Sequence, residues 1–232
     1  MRGHQQKWVT ERNVHIPYDG ITLESDLALP IDARGIVLFA HGSGSSRLSP
    51  RNRAVARELQ NAGFATLLLD LLTIDEEHAE VSTGHFRFNI ELLSMRLAAA
   101  TDWATTHPEL RGLPVGYFGA STGAAAAVVA AAMLPLVVGA IVSRGGRPDL
   151  AGSALGDVRA PTLLIVGGLD KVVLDLNHQA LHRLRCTAAL KIVPRAGHLF
   201  EEPGTLQQVS MLARHWFNDH LPRKPVQSRQ YS

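Results

Sequence analysis

Cysteine is almost missing from this 232-residue chain. Cys186 stands alone, so no intrachain disulfide can form, which argues against a secreted scaffold held together by cystines. Aromatic residues make up only 6% of the chain against 46% hydrophobic overall, a balance that fits one α/β domain with a sizeable core better than two small ones. Neither sign of charge prevails. The 23 basic and 21 acidic residues are interspersed and give a net charge of +2 with histidines neutral, which leaves no face built for nucleic acid or an anionic membrane. The local basic groups, Arg51/Arg53/Arg57 and Arg223/Lys224/Arg229, are explained by a solvated helix surface and a polar tail. Long apolar runs are missing too. No apolar signal region follows Met1, and other runs are too short or too rich in Ala and Gly to span a bilayer, so the expected setting is the cytoplasm, away from the membrane.

The composition predicts a polar leader over residues 1–12, a single domain over 13–221 and a disordered polar tail over 222–232. Residues 13–17 and 21–29 predict two strands around Tyr18-Asp19-Gly20, an antiparallel hairpin at a sheet edge. From Gly35 the texture changes to short, continuously apolar runs at 36–39, 65–69, 115–118, 137–142, 162–166 and 190–193, alternating with helical segments. Runs apolar on both faces belong to parallel strands covered by helices on either side. Ser49-Pro50 opens one helix and Gly63 closes it, while Ile90, Leu93, Leu97 and Ala104 share one face of another. Thr205 with Gln208 predicts a capping box ahead of the last helix. The segment 71–88 reads as a long loop, and 142–161 is too short for a helical lid.

Ligands of an open parallel sheet sit at the carboxyl ends of its strands. Those ends carry His41-Gly42-Ser43-Gly44, Asp70, Ser121, Ser143-Arg144, Asp170 and His198. Ser121 is the most informative of them, because Gly119-Ala120-Ser121-Thr122-Gly123 joins an apolar strand to a small-residue helix over 124–132. A serine on such a turn is strained and exposed, with backbone N–H groups beside it. Its hydroxyl is a poor nucleophile unless a base, usually histidine oriented by a carboxylate, takes its proton.

Gly119 to Gly123, His41-Gly42-Ser43-Gly44, Leu169-Asp170 and Gly197-His198, in that arrangement over about residues 14–221, resemble the α/β-hydrolase superfamily and within it the dienelactone-hydrolase-like group. The order Ser, Asp, His at successive strand ends is that of the α/β-hydrolase fold. The resemblance implies a mostly parallel sheet with helices on both faces, an N-terminal antiparallel hairpin and little or no lid. It implies Ser121 as nucleophile, His198 as base and Asp170 as its orienting acid. The oxyanion donors would be the backbone N–H groups of Thr122 and of Ser43. The group resembled carries a cysteine at the elbow and an arginine clamp that includes a position just after the histidine; here the elbow holds Ser121, and Glu201 and Glu202 follow His198.

Leu72, Phe86 and Leu199 are candidates for an apolar acyl pocket, and Arg87 and Arg144 for meeting an anionic group, with salt bridges to Glu202 or Asp149 as their alternative. Asp70 is the rival for the triad acid, and His41 is expected to hold the oxyanion loop. Eleven histidines invite a metal site, but only His178 and His182, four apart on a helix, have ligand-like spacing, and no acid clusters with them, so no metal and no cofactor is expected. The expectation is therefore a serine hydrolase acting on a small-molecule carboxylic ester. An acyltransferase or another C–O or C–C hydrolase on the same triad, and a non-catalytic binding protein of this fold, are the alternatives. Oligomeric state and ester identity are left open.

Overall fold

The computed structural model describes residues 9–42 and 44–221. Strands β1 (Val9–Tyr18) and β2 (Ile21–Pro30) form the hairpin, turning at Asp19 and Gly20, which both take positive φ (43° and 76°) as a two-residue hairpin turn requires. β1 starts four residues inside the segment expected as leader, because pairing runs out to Val9 opposite Pro30 and Arg12 hydrogen-bonds Glu109. The remaining strands are β3 (Ile36–Ala40), β4 (Ala65–Leu69), β5 (Val115–Ala120), β6 (Val138–Arg144), β7 (Thr162–Gly167) and β8 (Ala188–Val193). They extend one sheet in the order β1-β2-β4-β3-β5-β6-β7-β8, parallel from β4 onward, with β2 antiparallel to β4.

Alternation along these strands sorts the core into two layers. Val37, Phe39, Phe118 and Val142 face α1 (Pro50–Asn61) and the last helix, Thr205–His220, where Leu59 and Phe217 meet them. Leu38, Leu67, Tyr117 and Ile141 face the opposite way, against the helices Ile90–Thr106 and Thr122–Met133. In chain order the helices are α1, α2 (Ile74–Thr83), α3 (Ile90–Thr106), α4 (Thr122–Met133), α5 (Ala154–Asp157), α6 (Lys171–Arg183) and α7 (Thr205–His220). Nine of the twelve residues of α4 are buried, and its run of alanines lets the backbone lie close to the sheet beside β5. Between β6 and β7 there is only a 3-10 turn, Pro148–Ala151, and the four-residue α5, so no lid arises there.

Two local expectations change. The segment 71–88 is not a plain loop: it contains α2, and the capping box lies here, with Thr73 Oγ1 accepting the Glu76 N–H and the Glu76 carboxylate accepting the Thr73 N–H. The box expected at Thr205 does not form, because Gly204 takes the cap position with φ 80° and Thr205 Oγ1 donates to the Glu202 carbonyl at 2.7 Å.

One buried polar pair ties α3 to the central strand. Thr101 Oγ1 donates to the Leu97 carbonyl (2.8 Å), which leaves the Tyr117 hydroxyl to donate to Thr101 (2.6 Å), and burial raises the tyrosine pKa. Thr101→Val strands a buried hydroxyl, whereas Tyr117→Phe leaves Thr101 its carbonyl acceptor. Urea denaturation is expected to show about 1–3 kcal/mol lost for Thr101→Val and about 1 kcal/mol for Tyr117→Phe.

Candidate active site

Ser121 has φ 52° and ψ −125°, a backbone conformation that non-glycine residues rarely adopt. Its neighbours enforce it. A Cβ on Gly119 would lie 2.5 Å from Ala124 Cα, and one on Gly123 would lie 2.2 Å from the Ala40 carbonyl oxygen, so only glycine lets β3, β5 and α4 meet at this turn. The Ser121 N–H donates to the Arg144 carbonyl at 3.4 Å, and the Ser121 carbonyl accepts from Arg147 N–H at 3.0 Å. The elbow is thereby tied to the loop that follows β6.

That loop leads to His198. Gly145, at φ 49°, sits where a Cβ would be 3.1 Å from the His198 carbonyl oxygen and 3.7 Å from its ring Cε1. His198 Nδ1 and Asp170 Oδ2 are 2.6 Å apart, with the histidine side chain 43% exposed and the aspartate 14%. Asp170 caps α6, and its other oxygen accepts the Val173 N–H at 3.4 Å. An ionised Asp170 fixes the proton on Nδ1 and leaves Nε2 as the ring's acceptor. No hydrogen bond joins the Ser121 hydroxyl to His198 among the described residues; such bonds commonly tighten only when substrate binds.

Asp70, the rival acid, is committed elsewhere. It accepts the Arg47 backbone N–H at 2.5 Å and also binds the Arg47 guanidinium, which Asp26 and Glu24 approach as well. Those contacts pin the loop between β3 and α1 from its far end. His41 pins the near end: its Nδ1 lies 2.9 Å from the Gly42 carbonyl and its Nε2 accepts the Leu71 N–H at 3.0 Å. Nδ1 therefore carries the proton and the ring is neutral. Gly42 presses directly on the elbow, since a Cβ there would lie 2.6 Å from Ser121 Cβ. Thr122, first residue of α4, is buried beside it. Ser43 lies outside the described residues.

A cavity of about 370 Å³ opens beside this loop. Leu72, Phe86 and Arg87 line it, with Gly42 and Thr122 joining it to the elbow. Glu77, Glu80 and Val81 of α2 form a wall that the loop reading of 71–88 had no place for; the spacing Thr73 to Glu76 was the signal for it. Arg87 is not a free cation, because Glu80 binds its guanidinium and also accepts the Phe86 and Arg87 N–H groups. Burial opposes charge on Glu80, but these donors outweigh it and hold its pKa below the ordinary carboxylate value. Leu199 and Arg144 do not line the cavity. Leu199 is 42% exposed, and Arg144 turns to the α1 side of the sheet, where its Nη2 donates to Asn52 Oδ1 at 3.3 Å. Arg87 and Arg144 do not form the salt bridges set out as their alternative: Arg87 pairs with Glu80, and Asp149 pairs with Arg147.

The family model described as dienelactone hydrolase matches residues 23–217 of this chain. The chain belongs to the dienelactone hydrolase family. As a member of it the chain has the α/β-hydrolase fold. A dienelactone hydrolase from Anabaena variabilis has a solved structure that superposes with a TM-score of 0.90 at 57% identity, covering 92% of this chain and 99% of that one. The fold is shared at 16% identity with Est1E from Butyrivibrio proteoclasticus, with a TM-score of 0.74 over 90% of this chain and 98% of that one. Two Mycobacterium tuberculosis proteins, from different strains and both called putative phosphoribosyl transferases, are 56% identical over 211 residues, 91% of this chain. The chain spans 47% of the length of those relatives.

The His41 latch has a pH signature. Burial lowers its pKa below the ordinary 6.5, and the Gly42 carbonyl and Asp70 oppose that without reversing it. The unfolded chain therefore takes up the proton first, so stability is complete above pH 6.5 and declines as pH falls below it. Chemical denaturation between pH 7.5 and pH 5 (roughly 1.4 kcal/mol per unit for one proton) is expected to lose up to one proton of slope in His41→Gln relative to wild type.

Proposed function

We propose that this chain hydrolyses carboxylic esters with Ser121 as nucleophile, His198 as general base and then acid, and Asp170 as the group that orients and stabilises the imidazolium. The observation that carries the reading is the strained serine turn, tied through residues 144–147 to a histidine that Asp170 holds at 2.6 Å. Ser121 Oγ attacks the ester carbonyl and His198 Nε2 takes its proton. The tetrahedral oxyanion is held by the N–H groups of Thr122 and Ser43, each worth on the order of 3 kcal/mol to the transition state. Collapse expels the alcohol, which takes the proton from His198, and leaves an acyl-enzyme. Water, deprotonated by the same imidazole, then releases the acid.

Serine rather than thiol chemistry follows from where Cys186 lies. Its Sγ is 3.8 Å from Thr162 Oγ1, at the start of β7, whereas Ser121 follows the end of β5, so the two stand at opposite ends of the parallel sheet. Burial also pushes the thiol pKa up, away from the reactive thiolate. The cavity beside Gly42 and Thr122 takes one part of the ester, with Leu72 and Phe86 offering apolar contact. The single domain over 13–221 is the unit proposed to act. The phosphoribosyl transferase name belongs to proteins about twice this length, and the residues matched to them adopt the hydrolase fold, so no transferase activity is taken from it.

A panel of p-nitrophenyl esters of increasing acyl length tests the reading. Ser121→Ala is expected to lose at least about 10³-fold in kcat/KM and all labelling by a fluorophosphonate probe. Asp170→Asn is expected to fall by up to about 10⁴-fold in kcat, while Asp70→Asn chiefly loses stability. Undiminished turnover in Ser121→Ala, or loss of the bell-shaped dependence on His198 in Asp70→Asn but not in Asp170→Asn, removes the assignment.

A further inference from the structure

Two arginines are buried among the described residues, and they are treated differently. Arg96, 4% exposed, gives both terminal nitrogens to the Glu76 carboxylate and one of them also to the Leu71 carbonyl. Arg144, 8% exposed, has no carboxylate within ion-pair distance. Its guanidinium makes one hydrogen bond among the described residues, the 3.3 Å contact to Asn52, and its Nε and Nη1 are buried without a partner. Asn52 belongs to the first turn of α1, and its neighbour Arg51 also has a buried, unpartnered Nε. Asn52 thus ties Arg144 to the helical turn that carries Arg51. Burial and the nearby Arg51 lower the Arg144 pKa to about 10, which leaves it charged at neutral pH.

We propose that Arg144 and Arg51, with the N-terminal turn of α1, form a binding site for a small oxyanion, a carboxylate or phosphate group, on the opposite side of the elbow from the cavity. An unpaired buried charge costs several kcal/mol, and two like charges side by side add to it. Water would satisfy the donors but not the charge, whereas an oxyanion does both, and the planar guanidinium fork matches its geometry. The first turn of α1 carries no acidic residue to offset the positive end of this twelve-residue helix, and Arg144 reaches that turn at Asn52. Arg51 has a single ion-pair partner, Glu201 at 3.1 Å, whose side chain is 67% exposed. That surface carboxylate is weakly held and is the group an incoming anion displaces. The site is coupled to the chemistry through the backbone, since the Arg144 carbonyl accepts the Ser121 N–H and Gly145 lies against His198.

Thermal denaturation of the Ser121→Ala protein, titrated with sodium phosphate or acetate against sodium chloride at equal ionic strength, tests the site whether or not the chain hydrolyses esters. A saturable rise in Tm of roughly 3–5 °C at ten times Kd is expected. Glu201→Gln is expected to tighten binding several-fold, and Arg51→Gln, on a partly exposed residue that tolerates change, to abolish the shift; Arg144→Gln does the same where it folds. No saturable rise beyond that of chloride, or an equal rise in Arg51→Gln, overturns the proposal. The source of the anion is read from wild-type kinetics. Phosphate competing with an ester that bears an acid group, but not with a neutral ester, assigns the site to the substrate's own acid, and phosphate changing both rates alike assigns it to a free ion.

Discussion

A serine held at φ 52° between a strand and a helix costs on the order of 1–3 kcal/mol, and it persists only where its surroundings leave no alternative. Here the surroundings are close backbone approaches. Gly119 admits α4, Gly123 admits the end of β3, and Gly42 admits the Ser121 side chain, each at a distance that a Cβ would reduce below 3 Å. The same approaches set the site. Because β3 and β5 must meet α4 at one point, Gly42 of the loop leaving β3 is delivered beside the Ser121 side chain. Strain and proximity are one feature of the packing, not two.

Such a loop must also be kept from moving, and electrostatics does this at both ends. His41 links the Gly42 carbonyl to the Leu71 N–H, so the first residues after β3 are locked to the first residues after β4. Arg47, drawn by Asp70, Asp26 and Glu24, locks the far end to the β2 and β4 edge. Arg96 then fixes Leu71 itself, together with the start of α2, through Glu76. Shared donors and acceptors make these residues one network, and the loss of one member is felt by the others. The β1–β2 hairpin, remote from the chemistry, enters function this way, as the source of Asp26 and Glu24.

Most of the sheet was legible because runs such as 36–39 and 162–166 are apolar on both faces, which only a doubly covered strand tolerates. Parallel order then told which end of each strand to search, and Ser121, Asp170 and His198 all lie there. α2 escaped because its pattern is inverted: Ile74 and Val81 are 67% and 85% exposed while Glu80 is buried, so apolar periodicity misleads and only the Thr73–Glu76 box marks the helix. Thr205 misled in the opposite way, since the signature was present but Gly204 had already taken the cap. Leu199 follows the catalytic histidine candidate in sequence, yet it faces outward, which adjacency along the chain cannot reveal. Arg144 is a candidate for meeting an anionic group by its place at a strand end, and its alternation with Ala140 and Val142, which face α1 and α7, carries the information that it points away from the cavity.

The distribution of charge across the elbow follows from these placements. On the cavity side, among the described residues, the buried and half-buried arginines have their acids: Arg87 has Glu80, Arg96 has Glu76 and Arg47 has Asp70. Glu77, which burial and Asp70 push toward the neutral form, adds no cation there. An acidic substituent placed in the cavity would therefore lose its hydration and find no free counter-charge, a cost of several kcal/mol. The cavity thus favours a neutral group over an anionic one. Uncompensated positive charge stands across the elbow, at Arg144, whose carbonyl accepts the Ser121 N–H and whose neighbour Gly145 lies against His198. Glu201 and Glu202 follow His198 with negative charge, Arg51 reaches over to Glu201, and the unpaired positive charge stands at the end of β6 against the first turn of α1.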